Sequence, residues 1–157
     1  MDRSNPEFIG RFMGITVAYP TYDSYGKRIK GDSRLFIASA YHPHEEKLYD
    51  EFNADVTSIL SDRTVFKKKT TVIIGHDINA GVGTRKAGDD NFYNKVLGPY
   101  GIDRRNQKGK QLLNFLAVNK LKLMNSFFEA SSYSTWFDIK NGDPHMLDVW
   151  STNEPKI

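Results

Sequence analysis

The pattern of apolar residues predicts an α/β domain of interleaved strands and helices. Three observations carry that reading. Period-two alternation and short β-branched runs recur along the chain, separated by two stretches of helical periodicity. The length of 157 residues suits one domain with a real core, not two. Hydrophobic residues at 39% against 26% charged, with 22 Lys+Arg balanced by 19 Asp+Glu, exclude a disordered chain.

The first strand is expected near 12–19, where Met13, Ile15, Val17 and Tyr19 alternate. Pro20 ends it, and Asp23-Ser24-Tyr25-Gly26 makes a turn into the next strand. That strand, 35–41, is almost wholly apolar or small, as in a strand covered on both faces. Leu48, Phe52, Val56, Ile59 and Leu60 then recur at helical spacing over 45–61, with Glu45 and Glu46 at the N-terminus, where acids are favoured. Lys67-Lys68-Lys69 reads as a solvated connector. Thr71 to Ile74 is a β-branched strand that breaks at Gly75. Residues 76–106 form a long, Gly-rich polar stretch, a length usually reserved for functional or mobile loops. A second helix is expected over 107–119 and a strand over 121–125. Thr135-Trp136-Phe137 is a short strand candidate, and the last strand is expected over 146–150.

Several function classes fall away on composition. No apolar run approaches the roughly 18 residues of a membrane helix, and the opening MDRSNPEF lacks the apolar core of a secretory signal. We therefore expect an intracellular chain, nuclear or cytoplasmic, with no membrane partner. The absence of cysteine removes disulfides, thiolate metal sites and cysteine nucleophiles. A net charge of +3 and a pI near 9.0 mildly favour an anionic partner.

The sharpest chemical feature is Val72-Ile73-Ile74-Gly75-His76-Asp77-Ile78-Asn79-Ala80. A buried strand ending at Gly75 delivers Asp77 and Asn79 just past its C-terminal end, and an extended chain turns residues two apart to one side. One carboxylate with neutral oxygen donors suits Mg²⁺, which keeps much of its water and shares substrate phosphates. The competing reading is an Asx turn closing the strand. Rival motifs fail on spacing. An EF-hand loop starting at Asp77 needs Gly where Val82 stands and Glu where Gly88 stands, and Gly83-Thr84-Arg85 is not a Walker ending. The second feature is Tyr41-His42-Pro43-His44-Glu45-Glu46. His42 and His44 beside an acid raise a zinc site, but only His76 and His145 remain as further imidazoles, and a strand-to-helix turn explains both residues better. Tyr41 at a strand end could contact a phosphate or fill the core.

In order, these pieces resemble the endonuclease/exonuclease/phosphatase superfamily, most closely the endonuclease domains of LINE-type retroelements. Tyr41 with Pro43 is similar to the family's Tyr-x-Pro, and Gly75 through Ala80 to its Gly-Gly-Asp-Phe-Asn-Ala. Gly98-Pro99-Tyr100-Gly101 through Arg105-Asn106 and Gly109 resembles its Gly-rich, Arg-Asn entry to a helix. Thr135-Trp136 and Leu147-Asp148-Val149 complete the series, from about Gly10 to Asn153. The resemblance implies a four-layered α-β-β-α sandwich of the DNase-I-like and exonuclease-III-like type, hydrolysing phosphodiesters with Mg²⁺. It implies that Asp77 holds the metal and positions the attacking water, that Asn79 helps hold water and phosphate, and that Tyr41 touches the phosphate. Asp148 matches the aspartate that orients a histidine. These four should converge at one end of the sheets. Arg104, Arg105 and Asn106 are phosphate-contact candidates, against the alternative of exposed loop residues.

The family's upstream asparagine and metal-binding glutamate have no counterpart in Met1 to Tyr19, since Glu7 sits too near the first strand. Its closing Ser-Asp-His is not reached before Ile157. His145, three residues before Asp148, and His76, beside Asp77, are both expected to point away from those carboxylates. The expectation is a single truncated domain over 1–157, a partial sandwich lacking its first and last strands, with some sheet edges bare. It is either a retroelement-derived nuclease segment of a longer polyprotein, acting on DNA rather than RNA, or a catalytically dead remnant serving as a structural or weak nucleic-acid-binding module.

Overall fold

In a computed structural model, which describes residues 8, 10–62, 66, 70–89, 91–102 and 104–154, the alternating segment over 12–19 opens a long hairpin. Strand β1 (Phe12–Tyr22) pairs antiparallel with β2 (Arg28–Tyr41). Between them the Asp23 carboxylate accepts from the Tyr25 and Lys27 backbone N–H groups at 2.9 Å each, and Gly26 takes the left-handed φ of 77° that the turn requires. Helix α1 (Glu46–Leu60) crosses over to β3 (Thr70–Asp77), which lies parallel to β2. Helix α2 (Gln107–Val118) follows the long polar stretch and leads into β4 (Lys122–Leu123). A separate ribbon pairs β5 (Trp136–Phe137) with β6 (Pro144–His145), and β7 (Asp148–Thr152) returns to the main sheet. The sheet order is β1-β2-β3-β7-β4, with β2/β3 the one parallel pair in it. The architecture is mixed α/β, one open multi-strand sheet with two helices.

Both helices pack on the same face of that sheet. Phe36, Ala38 and Ala40 of β2 and Val72 and Ile74 of β3 point into a core with Tyr49, Phe52 and Val56 of α1 and Leu112, Leu113 and Leu116 of α2. Each fully buried aliphatic or aromatic side chain there contributes roughly 1.5–3 kcal/mol. Among the described residues nothing covers the opposite face. Met13 and Ile15 are each 65% exposed, Trp150 is 53% exposed, and Val17, Tyr19 and Ile37 remain 40–44% exposed.

Several boundaries differ from expectation. β2 begins seven residues before Leu35 because its pairing with β1 continues to the turn. It is covered on one face, not two. β3 runs on to Asp77 because Tyr41 and Asp148 continue the ladder on its two sides, so Asp77 ends the strand instead of following it. The strand expected over 121–125 stops at Leu123. Met124–Phe127 winds into a 3₁₀ turn, where the Ser126 hydroxyl donates to the Leu123 carbonyl at 2.6 Å. The final strand is shifted to Asp148–Thr152. Lys67–Lys69 and Glu7 lie outside the described residues.

Candidate active site

Strand register gathers three of the expected residues at one rim of the sheet. Tyr41 on β2 stands opposite Asp77 on β3, and Asp77 stands opposite Asp148 on β7. Register partners share a face and lie on strands about 4.8 Å apart. By alternation with Ile37, Ile73 and Trp150, that face is the bare one. The three side chains form a row across it, although 36 and 71 positions separate consecutive members.

Backbone and side-chain bonds fix the row from behind. The His42 N–H donates to the Asp77 carbonyl at 2.9 Å, and the Ile78 N–H to the Leu147 carbonyl at 2.8 Å. The Tyr49 hydroxyl, buried under α1, donates to the Ile78 carbonyl at 2.7 Å. On the side away from β3, no strand among the described residues lies beside the first residues of β7, so side chains take over. Thr135 Oγ1 accepts from the Leu147 and Asp148 N–H groups at 2.9 and 3.0 Å, and Asn125 Oδ1 accepts from Trp150 N–H at 2.8 Å. The Thr-Trp pair thus supplies the hydroxyl that positions Asp148.

Asn79 joins the rim differently from expectation. It follows the strand with a left-handed φ of 44°, so strand alternation does not align it with Asp77. Its amide donates to the His42 carbonyl at 2.9 Å. Its backbone N–H instead serves Asp77, drawing that carboxyl's pKa down. Burial outweighs this and pushes the carboxyl up, the Asp148 carboxylate adds to the rise, and His44 opposes it. Asp77 Oδ1 is buried without a hydrogen-bond partner.

His44, raised in the sequence only as a zinc candidate beside His42, joins the rim through Tyr41. Its Nε2 shares a 3.0 Å hydrogen bond with the Tyr41 hydroxyl. Lys108 Nζ, at the start of α2, donates to the His44 carbonyl at 2.8 Å and ties the helix to the rim. Arg11 lies over the Tyr41 ring, 5.0 Å from its centroid. The signal was the spacing of Tyr41 and His44 across a strand end, too short a pattern to separate from an ordinary turn.

The other histidines do not converge with it. His42 and His76 are buried on the helix side, joined Nε2 to Nδ1 at 3.0 Å, and His76 Nε2 bonds Ser151 Oγ at 2.7 Å. His42 Nδ1 has no partner. An orphan lone pair costs less than an orphan N–H, so the favoured tautomers run His42 N–H to His76 and His76 N–H to Ser151. Burial holds both below the usual histidine range, His76 at about 3. His76 faces away from Asp77, as expected. His145 belongs to the β5/β6 ribbon, against Trp136, and shares no strand with Asp148. Among the described residues no group of three or more His, Cys, Asp or Glu side chains is placed to hold a metal ion.

The phosphate-contact candidates are largely occupied. Arg105 bonds the Val82 and Thr84 carbonyls and both oxygens of Asp89, and its guanidinium lies over Tyr93. It clamps the 82–93 loop, because a guanidinium with only 8% of its side chain exposed must find its acceptors inside. Asn106 is the N-cap of α2, accepting from the Gly109 N–H at 2.9 Å. Arg104 is exposed and pairs with Asp143 at 2.8 Å.

No family model matches the chain, and no curated protein matches it at a significant level. Among the described residues no helix is long and apolar enough to cross a membrane.

Proposed function

We propose that the chain is a DNA-directed, Mg²⁺-dependent phosphodiesterase of the endonuclease/exonuclease/phosphatase type, with one half of its sandwich and part of its site on this chain. The observation that supports it is the cross-strand row Tyr41–Asp77–Asp148, built from the motifs that resemble the family's catalytic segments. The choice of DNA rests on the retroelement likeness alone.

The donor set is compatible with magnesium. Two neighbouring carboxylates, one with an unpartnered buried oxygen, suit an ion that takes one or two protein carboxylates and completes its shell with water and phosphate. Asp77 would hold it, with Asp148 alongside. When bound, Mg²⁺ supplies charge stabilisation at the phosphoryl oxygens. The chain's own residues do the rest. Asp77, with its buried unpartnered oxygen, positions the attacking water. Tyr41, held by His44, directs its hydroxyl at a non-bridging phosphate oxygen. Asn79 fixes the loop between Asp77 and His42, so its role is positioning.

Paramagnetic Mn²⁺ titrated with a short duplex tests this reading by resonance broadening. Broadening centred on Tyr41, Asp77 and Asp148, lost in Asp77→Ala, is expected. Broadening elsewhere, or none, would count against the site. A second reading, a catalytically dead remnant serving as a structural module, is favoured by the internal use of Arg105 and Asn106. It predicts neither duplex binding nor a Mn²⁺ effect at the rim.

A further inference from the structure

The bare face of the sheet is apolar over most of its area. By alternation it presents Met13, Ile15, Val17 and Tyr19 from β1, Leu35 and Ile37 from β2, Ile73 from β3 and Trp150 from β7. Trp150 spreads its ring over Gly75, where an added Cβ would sit 3.3 Å from the indole, so the centre of the face is level. Its charged side chains stand at the margins, Asp77 and Asp148 at the rim with Arg11 over Tyr41, and Lys122 by register at the β4 edge.

Six of these side chains, Met13, Ile15, Val17, Tyr19, Ile37 and Trp150, are 40–65% exposed. At on the order of 200 Å² for a large side chain they alone offer about 600–700 Å². That exceeds the largest apolar patch of most monomers, about 300–600 Å². It approaches the roughly 800 Å² per partner of a stable protein–protein contact, and Leu35, Ile73 and the intervening backbone make up the difference.

We propose that this face is a homodimer interface, two copies of the chain packing sheet on sheet about a two-fold axis. The level apolar centre meets a copy of itself while the charged groups stay at its margins, and face-to-face sheets interdigitate at about 10 Å in aligned or orthogonal arrangements. An isologous contact uses one patch twice, so a single adequate face is sufficient. The apolar centre of the face offers a nucleic acid no cation, which leaves that centre to an apolar partner. The inference does not depend on the proposed activity, since none of the residues it tests belongs to the rim.

Sedimentation equilibrium of the full chain from about 1 to 100 μM reads the result directly. The expected mass is twice 17.9 kDa. Ile15→Lys and Ile37→Lys each bury an unpaired charge in the contact and should weaken association by about 100-fold or more. Ile139→Lys makes the same change at a residue 94% exposed on the ribbon, away from the face, and should leave the dimer intact. Circular dichroism checks that each variant is folded. A folded wild-type monomer throughout this range would overturn the proposal and assign the face to another chain segment or protein. A dimer that survives both Ile15→Lys and Ile37→Lys would also overturn it, moving the contact to a surface such as the bare edge of β1.

Discussion

His42 and His76 face away from the rim, yet they set how the molecule responds to acid. Both are neutral when buried, and the unfolded chain titrates them near pH 6.5. Below that value the unfolded state binds more protons than the native one. Their stabilising contribution is therefore complete above about pH 6.5 and is lost as pH falls toward the folded values. Unfolding free energy measured in urea should drop by on the order of 2 kcal/mol between pH 7.5 and pH 5.5. Asp77, raised by burial, has the opposite sign. A stability unchanged down to pH 5.5 would contradict the buried neutral pair. Sequence spacing showed that His76 turns from Asp77, but not where it turns. Its partners His42 and Ser151 lie 34 and 75 positions away, and period-two alternation carries no information about what covers a face.

The strands and helices with strong periodicity were legible, and the segments held by single long-range polar contacts were not. α1 and α2 were bounded within a residue or so, because their apolar stripes match the core they fill. The loop over 82–93 has no such pattern. It is organised by Arg105, whose bonds to Val82, Thr84 and Asp89 appear only when the chain is folded. Arg105→Ala should cost about 3 kcal/mol in chemical denaturation, since it leaves the Asp89 carboxylate and two carbonyls unpaired in a buried setting. Its neighbour Arg104 pairs on the surface, with 56% of its side chain exposed, and Arg104→Ala should cost less than about 1 kcal/mol. Equal costs would refute the distinction. Gly109 makes a further case. A Cβ there would strike the Gly81 carbonyl against which the N-terminus of α2 docks. Gly109→Ala should destabilise by about 1–3 kcal/mol despite its better helix propensity, a reversal that thermal melting would register.

On the scale of the whole molecule, the interleaved order of elements indicated an α/β class and the motif series placed Tyr41, Asp77 and Asp148 on separate strands. The bare sheet face was not legible in the sequence, where the apolar strand over 35–41 was expected to be covered on both faces and only some sheet edges to be bare. That face bears on rate. Preorganised charges act most strongly where water is excluded, and in a single copy of the chain the row opens onto a solvated surface beside Trp150, 53% exposed. Under the proposed reading, the glutamate and histidine that the resemblance calls for are not among these 157 residues, and a general base typically contributes about 10²–10⁴ in rate. His44 is the one imidazole at the rim, and its Nε2 is engaged with Tyr41. Phosphate contacts are few, because Arg105 is internal and Arg104 is paired with Asp143. The expected outcome is negligible nicking of supercoiled plasmid in Mg²⁺ by the 157-residue chain. Duplex binding should be weak, with a salt slope reporting only about one or two neutralised phosphates. Robust Mg²⁺-dependent nicking, abolished by Asp77→Ala and reduced by His44→Ala with a shifted pH profile, would reverse this expectation. It would mean that the Tyr41–His44 pair supplies the proton transfer for which the family uses its terminal histidine.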